Sequence, residues 1–150
     1  MKSRWHSRSV EETVDLAARF AADLEGGAAV ALRGELGTGK TSFAKGVISH
    51  WSGVAPEEIP SPTFTLVEEY SGGGLRIYHV DLYRMKDPAE AEELAWDEML
   101  APGALTLIEW PERLEKIIPY CQFQLFFSKE GEHERSIELV EKEIPHVQPS

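Results

Sequence analysis

The sequence predicts a three-layer α/β domain with a mixed, mainly parallel central sheet and added hairpins. Two short apolar runs, "AAVALR" (28–33) and "ALTLIE" (104–109), have the length and composition of buried strands. Amphipathic helical patterns lie on either side of the first run. The middle and last thirds carry hairpin signals instead. Strands alternating with helices, then hairpins, point to a sheet sandwiched between helices.

The elements follow in order. "SVEE" (9–12) is a capping box, Ser9 to Glu12, and opens a helix whose Val10, Val14, Ala17, Ala21 and Leu24 form one apolar face. Gly26 and Gly27 stop it, and "AAVALR" reads as a strand. After a glycine-rich turn, "TSFAKGVISHW" is a second helix with Phe43, Val47, Ile48 and Trp51 available to pack inward. "TFTLVEEY", "SGGG" and "LRIYHVDLYR" form a hairpin pattern, with Leu75, Ile77, His79 and Asp81 on one side of its second arm. "DPAEAEELAWDEML" places Asp87 and Pro88 in helix-starting positions and carries an acidic face. "ALTLIE" is the next strand and ends in a carboxylate. "CQFQLFF" and "RSIELV" around "SKEGEHE" read as another hairpin, and residues 141–150 as a frayed tail. With no repeat or linker, residues 1–150 are expected to be one domain.

Composition narrows the function. No run approaches the ~20 apolar residues of a membrane span, and "MKSRWHSRSVEETV" lacks the apolar stretch of a secretory signal. Cys121 is the only cysteine, so no internal disulfide is expected, as suits a reducing cytoplasm. The five histidines are scattered without metal-ligand spacing, which argues against zinc. Fifteen basic against 26 acidic residues leave a net charge of −11. Nucleic-acid binding draws most of its affinity from neutralised phosphates, so a chain this acidic is a poor binder of RNA on its own.

The stretch "RGELGTGKTSFAKG" (33–46) carries the chemistry. Gly34, four residues, Gly39, Lys40 and Thr41 fit G-x-x-x-x-G-K-[ST], a P-loop, between an expected strand and an expected helix. Glycines let successive N–H groups aim at a phosphate, and the helix adds its positive end. Lys40 is expected to reach the β and γ phosphates, and the Thr41 hydroxyl to ligate magnesium. No K-x-D triplet of the kind that selects guanine occurs in the chain, which favours ATP.

Hydrolysis also needs a carboxylate near the metal, a placed nucleophile and neutralisation of developing charge. Asp81 and Glu109 each end an apolar strand, and either suits the metal-side acid. Each is equally a strand-end carboxylate capping a loop, and the physics of the sequence does not rank them. "SPTFT" (61–65) is a candidate switch: Pro62 restricts Ser61 to extended geometry and would present the hydroxyls of Ser61, Thr63 and Thr65. The same stretch reads as a strand entry with exposed hydroxyls. Arg84 is a weak candidate for charge neutralisation in cis, surface ion pairing being the commoner role. Trp96 and Trp110 read as packing residues.

Together, "GELGTGKT", "SPTFTLVEEY", "YHVDLYR" and "LIEWPE", in this order and spacing, closely resemble the TsaE (YjeE) family of bacterial ATPases of tRNA threonylcarbamoyladenosine synthesis, over residues 9–140. The resemblance implies that Leu36, Gly37, Thr38, Gly39, Lys40 and Thr41 bind the ATP phosphates, and that Thr41 and Glu109 ligate Mg2+. It implies that Asp81 supports hydrolysis, and that Lys40 and Glu109 share in catalysis. It assigns Ser61, Thr63 and Thr65 to a switch segment, with Trp110 as the tryptophan after the metal-binding Glu, and sets Thr13 and Arg135 beside the adenine. Thr38 and Glu35 stand where the family commonly has alanine and aspartate. The implied partners are TsaD and TsaB, whose complex binds tRNA and transfers the threonylcarbamoyl group to the adenosine at position 37. An acidic ATPase that leaves RNA contact to a partner fits the net charge of −11.

Two rival functions are open to a P-loop chain. A small-molecule kinase closes an arginine-rich lid, whereas the eight arginines here are dispersed. A nucleotide sensor would bind without hydrolysing. With no clear arginine finger, which is worth about 10³–10⁵ in rate, hydrolysis by the isolated chain is expected to be slow.

Overall fold

The computed structural model describes residues 2–61 and 65–142. Its elements are β1 (Lys2–Ser7), α1 (Val10–Ala22), β2 (Ala29–Arg33), α2 (Lys40–Ser52), β3 (Val67–Gly72), β4 (Leu75–Asp81), α3 (Pro88–Glu92), α4 (Trp96–Met99), β5 (Ala104–Glu109), β6 (Phe123–Lys129) and β7 (Arg135–Glu141). The strands form one seven-stranded sheet in the order β1-β7-β6-β2-β5-β4-β3. Its four central strands, β6, β2, β5 and β4, run parallel, while β3, β7 and β1 are antiparallel to their neighbours. The fold is therefore the mixed α/β sheet with mainly parallel central strands that the sequence predicts.

β2 and β5 bury both faces, which is why their runs read as continuously apolar. Val30, Leu32, Ile77, Leu105 and Leu107 face α1 and α2. Ala29, Ala31, Tyr78, Val80 and Ile108 face the other way, under Ala91, Met99, Leu114 and Ile117. An aromatic cluster closes the first layer: Phe43 lies 5.6 Å from Phe20, 5.5 Å from Phe127 and 6.3 Å from Trp5, centroid to centroid. A fully buried phenylalanine such as Phe43 stabilises by about 1.5–3 kcal/mol relative to an exposed one.

Ser9 caps α1 as its motif predicts, accepting from the Glu12 amide at 3.0 Å. The Gly73–Gly74 turn sets Gly72 opposite Leu75 and closes the β3–β4 hairpin. Two features depart from the sequence reading. β1 is an additional edge strand: Lys2–Ser7 alternates polar residues around Trp5, and pairing with β7 rather than an apolar pattern makes it a strand. The acidic stretch forms two short helices. Asp87 caps α3 in a full capping box with Glu90, but the Trp96 indole turns back to donate to the Ala91 carbonyl at 2.8 Å and α4 starts afresh. Of the expected tail, Glu141 closes β7 and the Lys142 amide donates to Gln122 O at 2.9 Å; residues 143–150 lie outside the described residues.

Candidate functional site

Because β6, β2, β5 and β4 are parallel, their carboxyl ends share one edge of the sheet, where ligands of open α/β sheets bind. A cleft of about 310 Å³ opens there. Its floor is the loop from Gly34 to Thr41, between β2 and α2. Gly39 caps α2 with φ of 101°, a left-handed conformation that side chains resist, and so turns the first free amides of the helix toward the cleft. A Cβ on Gly34 would lie 2.6 Å from the Phe127 carbonyl, so the loop can leave the sheet there only as glycine. Thr38 is buried behind the loop, its hydroxyl donating to Glu35 O at 2.7 Å. Leu36, 62% exposed, stands at the mouth.

The Lys40 side chain folds back over the loop. Its ammonium donates to the Gly34 carbonyl and sits 3.6 Å from the Trp110 ring centroid. Burial lowers the Lys40 pKa, opposed by the negative charges of Glu109, Glu112, Asp81 and Glu35. Trp110 takes φ of 60°, the only positive value among the described residues other than glycine, and this carries its ring from the end of β5 over the lysine.

Thr41 and Glu109 meet directly. The Thr41 hydroxyl lies 2.9 Å from Glu109 Oε1 and 3.2 Å from Oε2. Glu109 is buried, and its Oε2 also lies 2.6 Å from His79 Nε2. Asp81 is paired with Glu109 across β4 and β5 and also lines the cleft, accepting from the Tyr83 amide at 3.0 Å. Partial burial pushes the Asp81 carboxyl above the usual aspartate range; the Tyr83 hydrogen bond opposes that, and the Glu109 charge adds to it.

The far wall comes from α1 and the β6–β7 turn. Thr13 is buried there, its hydroxyl 2.7 Å from Ser7 Oγ and 3.2 Å from Ser9 O. Arg135 also lines the cleft, one guanidinium nitrogen donating to the Gly131, Glu132 and Glu134 carbonyls at 2.9–3.3 Å. The fold thus gathers Thr13, Leu36, Gly37, Gly39, Lys40 and Thr41 with Asp81, Glu109, Trp110 and Arg135. It does not gather the switch candidates among the described residues. Ser61 is exposed, and the Thr65 hydroxyl donates to Val67 O at 3.2 Å and Glu68 Oε1 at 3.1 Å, with neither lining the cleft. Thr63 lies outside the described residues. Arg84 is exposed and lines no part of the cleft.

With this geometry in place, comparison with known proteins is decisive. A family model described as "Threonylcarbamoyl adenosine biosynthesis protein TsaE" matches residues 7–137. The chain belongs to the TsaE family. It is 37% identical over 134 residues to the tRNA threonylcarbamoyladenosine biosynthesis protein TsaE of Bacillus subtilis, covering 89% of this chain and 82% of that one. It is 45% identical over 111 residues to the TsaE of Rickettsia bellii, covering 74% and 76%. The crystal structure of Bacillus subtilis YdiB superposes with a TM-score of 0.70 and 31% identity, over 93% of this chain and 84% of that one.

Within this TsaE chain, sequence reading missed two neighbours of the predicted residues. His79 holds Glu109, and Tyr83 sets its ring 5.0 Å from that of Trp110. A signal for His79 was present. It is the one imidazole within the apolar "RIYHV" run, on the same side of the strand as Asp81.

Proposed function

We propose that this chain binds ATP with Mg2+ at the Gly34–Thr41 loop and hydrolyses it, and that the cycle serves formation of threonylcarbamoyladenosine at position 37 of tRNAs in the cytoplasm. Membership of the TsaE family supports the pathway. The observation that carries the nucleotide chemistry is the Thr41–Glu109 contact at 2.9 Å, in a cleft entered by a helix N-terminus and Lys40. A hydroxyl beside a carboxylate is a hard-oxygen donor pair, which suits Mg2+. Bound there, the ion supplies Lewis-acid stabilisation of charge on phosphate oxygens.

The chain's own residues divide the remaining work. The amides of residues 36–41 bind phosphate oxygens, and Lys40 exchanges the Gly34 carbonyl and the Trp110 ring for phosphate. Asp81 has a carboxyl more basic than usual and is suited to orienting a water and taking its proton. Thr13 and Arg135 border the end of the cleft suited to a base. No cleft-lining arginine other than Arg135 occurs among the described residues, and its guanidinium is engaged with backbone carbonyls. Turnover by the isolated chain is accordingly slow, and the partner speeds it. With a net charge of −11 the chain leaves RNA to that partner, the TsaB–TsaD complex, and joins it in a nucleotide-dependent way.

Co-purification with TsaD in the presence of TsaB, under ATP and then ADP, tests this reading, with wild type and Lys40→Ala compared and ATP turnover followed in parallel. Association that differs between the nucleotides, and is lost in Lys40→Ala, is expected. Equal association in all conditions, or equally fast turnover with and without the partner, refutes it.

A further inference from the structure

β4 presents Ile77 and His79 to the layer occupied by α1 and α2, where the neighbouring strands offer Leu105, Leu107, Val30 and Leu32. An aliphatic side chain is what this position asks for. His79 nevertheless has no exposed surface, and burying an imidazole without a partner is costly. Among the described residues its hydrogen-bond partner is Glu109, Nε2 to Oε2 at 2.6 Å, and Nδ1 has none. A bare lone pair at Nδ1 is better tolerated than an orphaned N–H, so the proton belongs on Nε2, which donates to the carboxylate.

The consequence lies at the other oxygen. Glu109 Oε2 is held by His79, while Oε1 makes the shorter contact to Thr41, 2.9 Å against 3.2 Å. A glutamate side chain has a freely turning terminal torsion, and Thr41 alone would donate to either oxygen. The second bond removes that freedom.

We propose that His79 is the positioning residue of the Glu109 carboxylate: its Nε2–H anchors Oε2 so that Oε1 faces the Thr41 hydroxyl, fixing the oxygen pair that takes the metal. The inference deepens the reading in which Thr41 and Glu109 hold Mg2+, and rests on it. Partners of this kind, one shell behind a ligand, typically change metal affinity by about 10- to 100-fold when removed.

The test titrates Mg2+ calorimetrically into the full chain with β,γ-methylene ATP, for wild type, His79→Leu, His79→Gln and His79→Asn. Binding of the same analogue in EDTA reports an intact cleft. Leucine suits the pocket sterically but cannot donate; glutamine carries an N–H to the Nε2 position, and asparagine carries the same amide too short. Mg2+ affinity is expected to fall about 10- to 100-fold in the Leu and Asn variants and to recover largely in Gln, with binding in EDTA unchanged. Should the Leu variant not fold, the Gln–Asn pair decides alone. Equal Mg2+ affinity in those two, or a neutral imidazole protonated at Nδ1 and bare at Nε2 in the ¹⁵N spectrum of metal-free wild type, overturns the proposal. Failure of wild type to bind the analogue with Mg2+ overturns the ATP reading beneath it, and is visible without any variant.

Discussion

Helices α1 and α2 pack closely at Gly46, and Gly46→Ala tests how far that contact positions the cleft. A Cβ built there would lie 2.6 Å from the Ala17 methyl, 2.8 Å from Val14 O and 3.2 Å from Val14 Cα. Carbon contacts are favourable at about 3.5–4.0 Å, so the helices must separate by roughly 1 Å. Two of the three atoms are backbone and the third is a methyl with no rotamer to change. Relief can come only from moving a helix.

Two terms oppose each other. Alanine improves on glycine in a helix interior by about 1 kcal/mol. Overpacking a rigid contact costs about 1–3 kcal/mol, and the immobile neighbours place this case in the upper half of that range. The net is a loss of about 1–2 kcal/mol, a fall in Tm of roughly 2–8 °C for a chain of this size. Thermal and urea unfolding of the variant measure it. In an Ala17→Gly background the nearest clash disappears while Val14 O remains. The double variant should therefore recover part of the loss, with a coupling of at least about 0.5 kcal/mol. Since α1 carries Thr13 and α2 begins with Lys40 and Thr41, nucleotide binding should weaken alongside. A Gly46→Ala protein as stable as wild type would falsify the close-packing argument.

Three further outcomes are expected. Asp81→Asn keeps the acceptor for the Tyr83 amide but removes a carboxylate whose ionisation is disfavoured by burial. The folded state holds that proton to higher pH than the unfolded chain, so the penalty is full above the raised pKa and absent below the ordinary aspartate value. The variant should match or exceed wild type in denaturant midpoint at pH 7, lose that advantage as pH falls through the carboxylate range, and turn over ATP more slowly; a midpoint difference independent of pH refutes the burial argument. Glu109→Gln should reduce Mg2+-dependent ATP turnover by roughly 100-fold or more, since metal stabilisation of phosphate charge is worth several kcal/mol; near-normal turnover would remove Glu109 from the metal. Burial pushes the Cys121 thiol up to about 12, so a thiol reagent at pH 8 should react only as the protein opens, slowly in buffer and at once in urea. Rapid reaction in the native state would contradict the buried position.

The sequence reading succeeded where a local pattern and its physical cause coincide. "AAVALR" and "ALTLIE" are apolar throughout because β2 and β5 are covered on both faces. Ser9 caps α1 through its own neighbour Glu12, four residues that need nothing else. β1 failed the same test. Lys2–Ser7 has a single large apolar residue, Trp5, and becomes a strand only because β7 is there to pair with it. The break between α3 and α4 was hidden for a related reason, since it depends on where the Trp96 indole turns.

The site divides in the same way. The Gly34–Thr41 turn into α2 was legible because a glycine turn, a helix start and a lysine are adjacent in the chain. The ranking of Asp81 and Glu109 was not, because both end apolar strands and look alike in one dimension. Parallel pairing of β4 with β5 sets the two acids side by side, and their hydrogen bonds then separate them: Glu109 reaches Thr41 and His79, while Asp81 accepts from the Tyr83 amide. The placing of residues 36–41 in a turn that opens α2 could be read from sequence because backbone conformation is set by near neighbours. The partners of Glu109, 68 and 30 residues away along the chain, could be assigned only after the sheet had brought them within hydrogen-bond range.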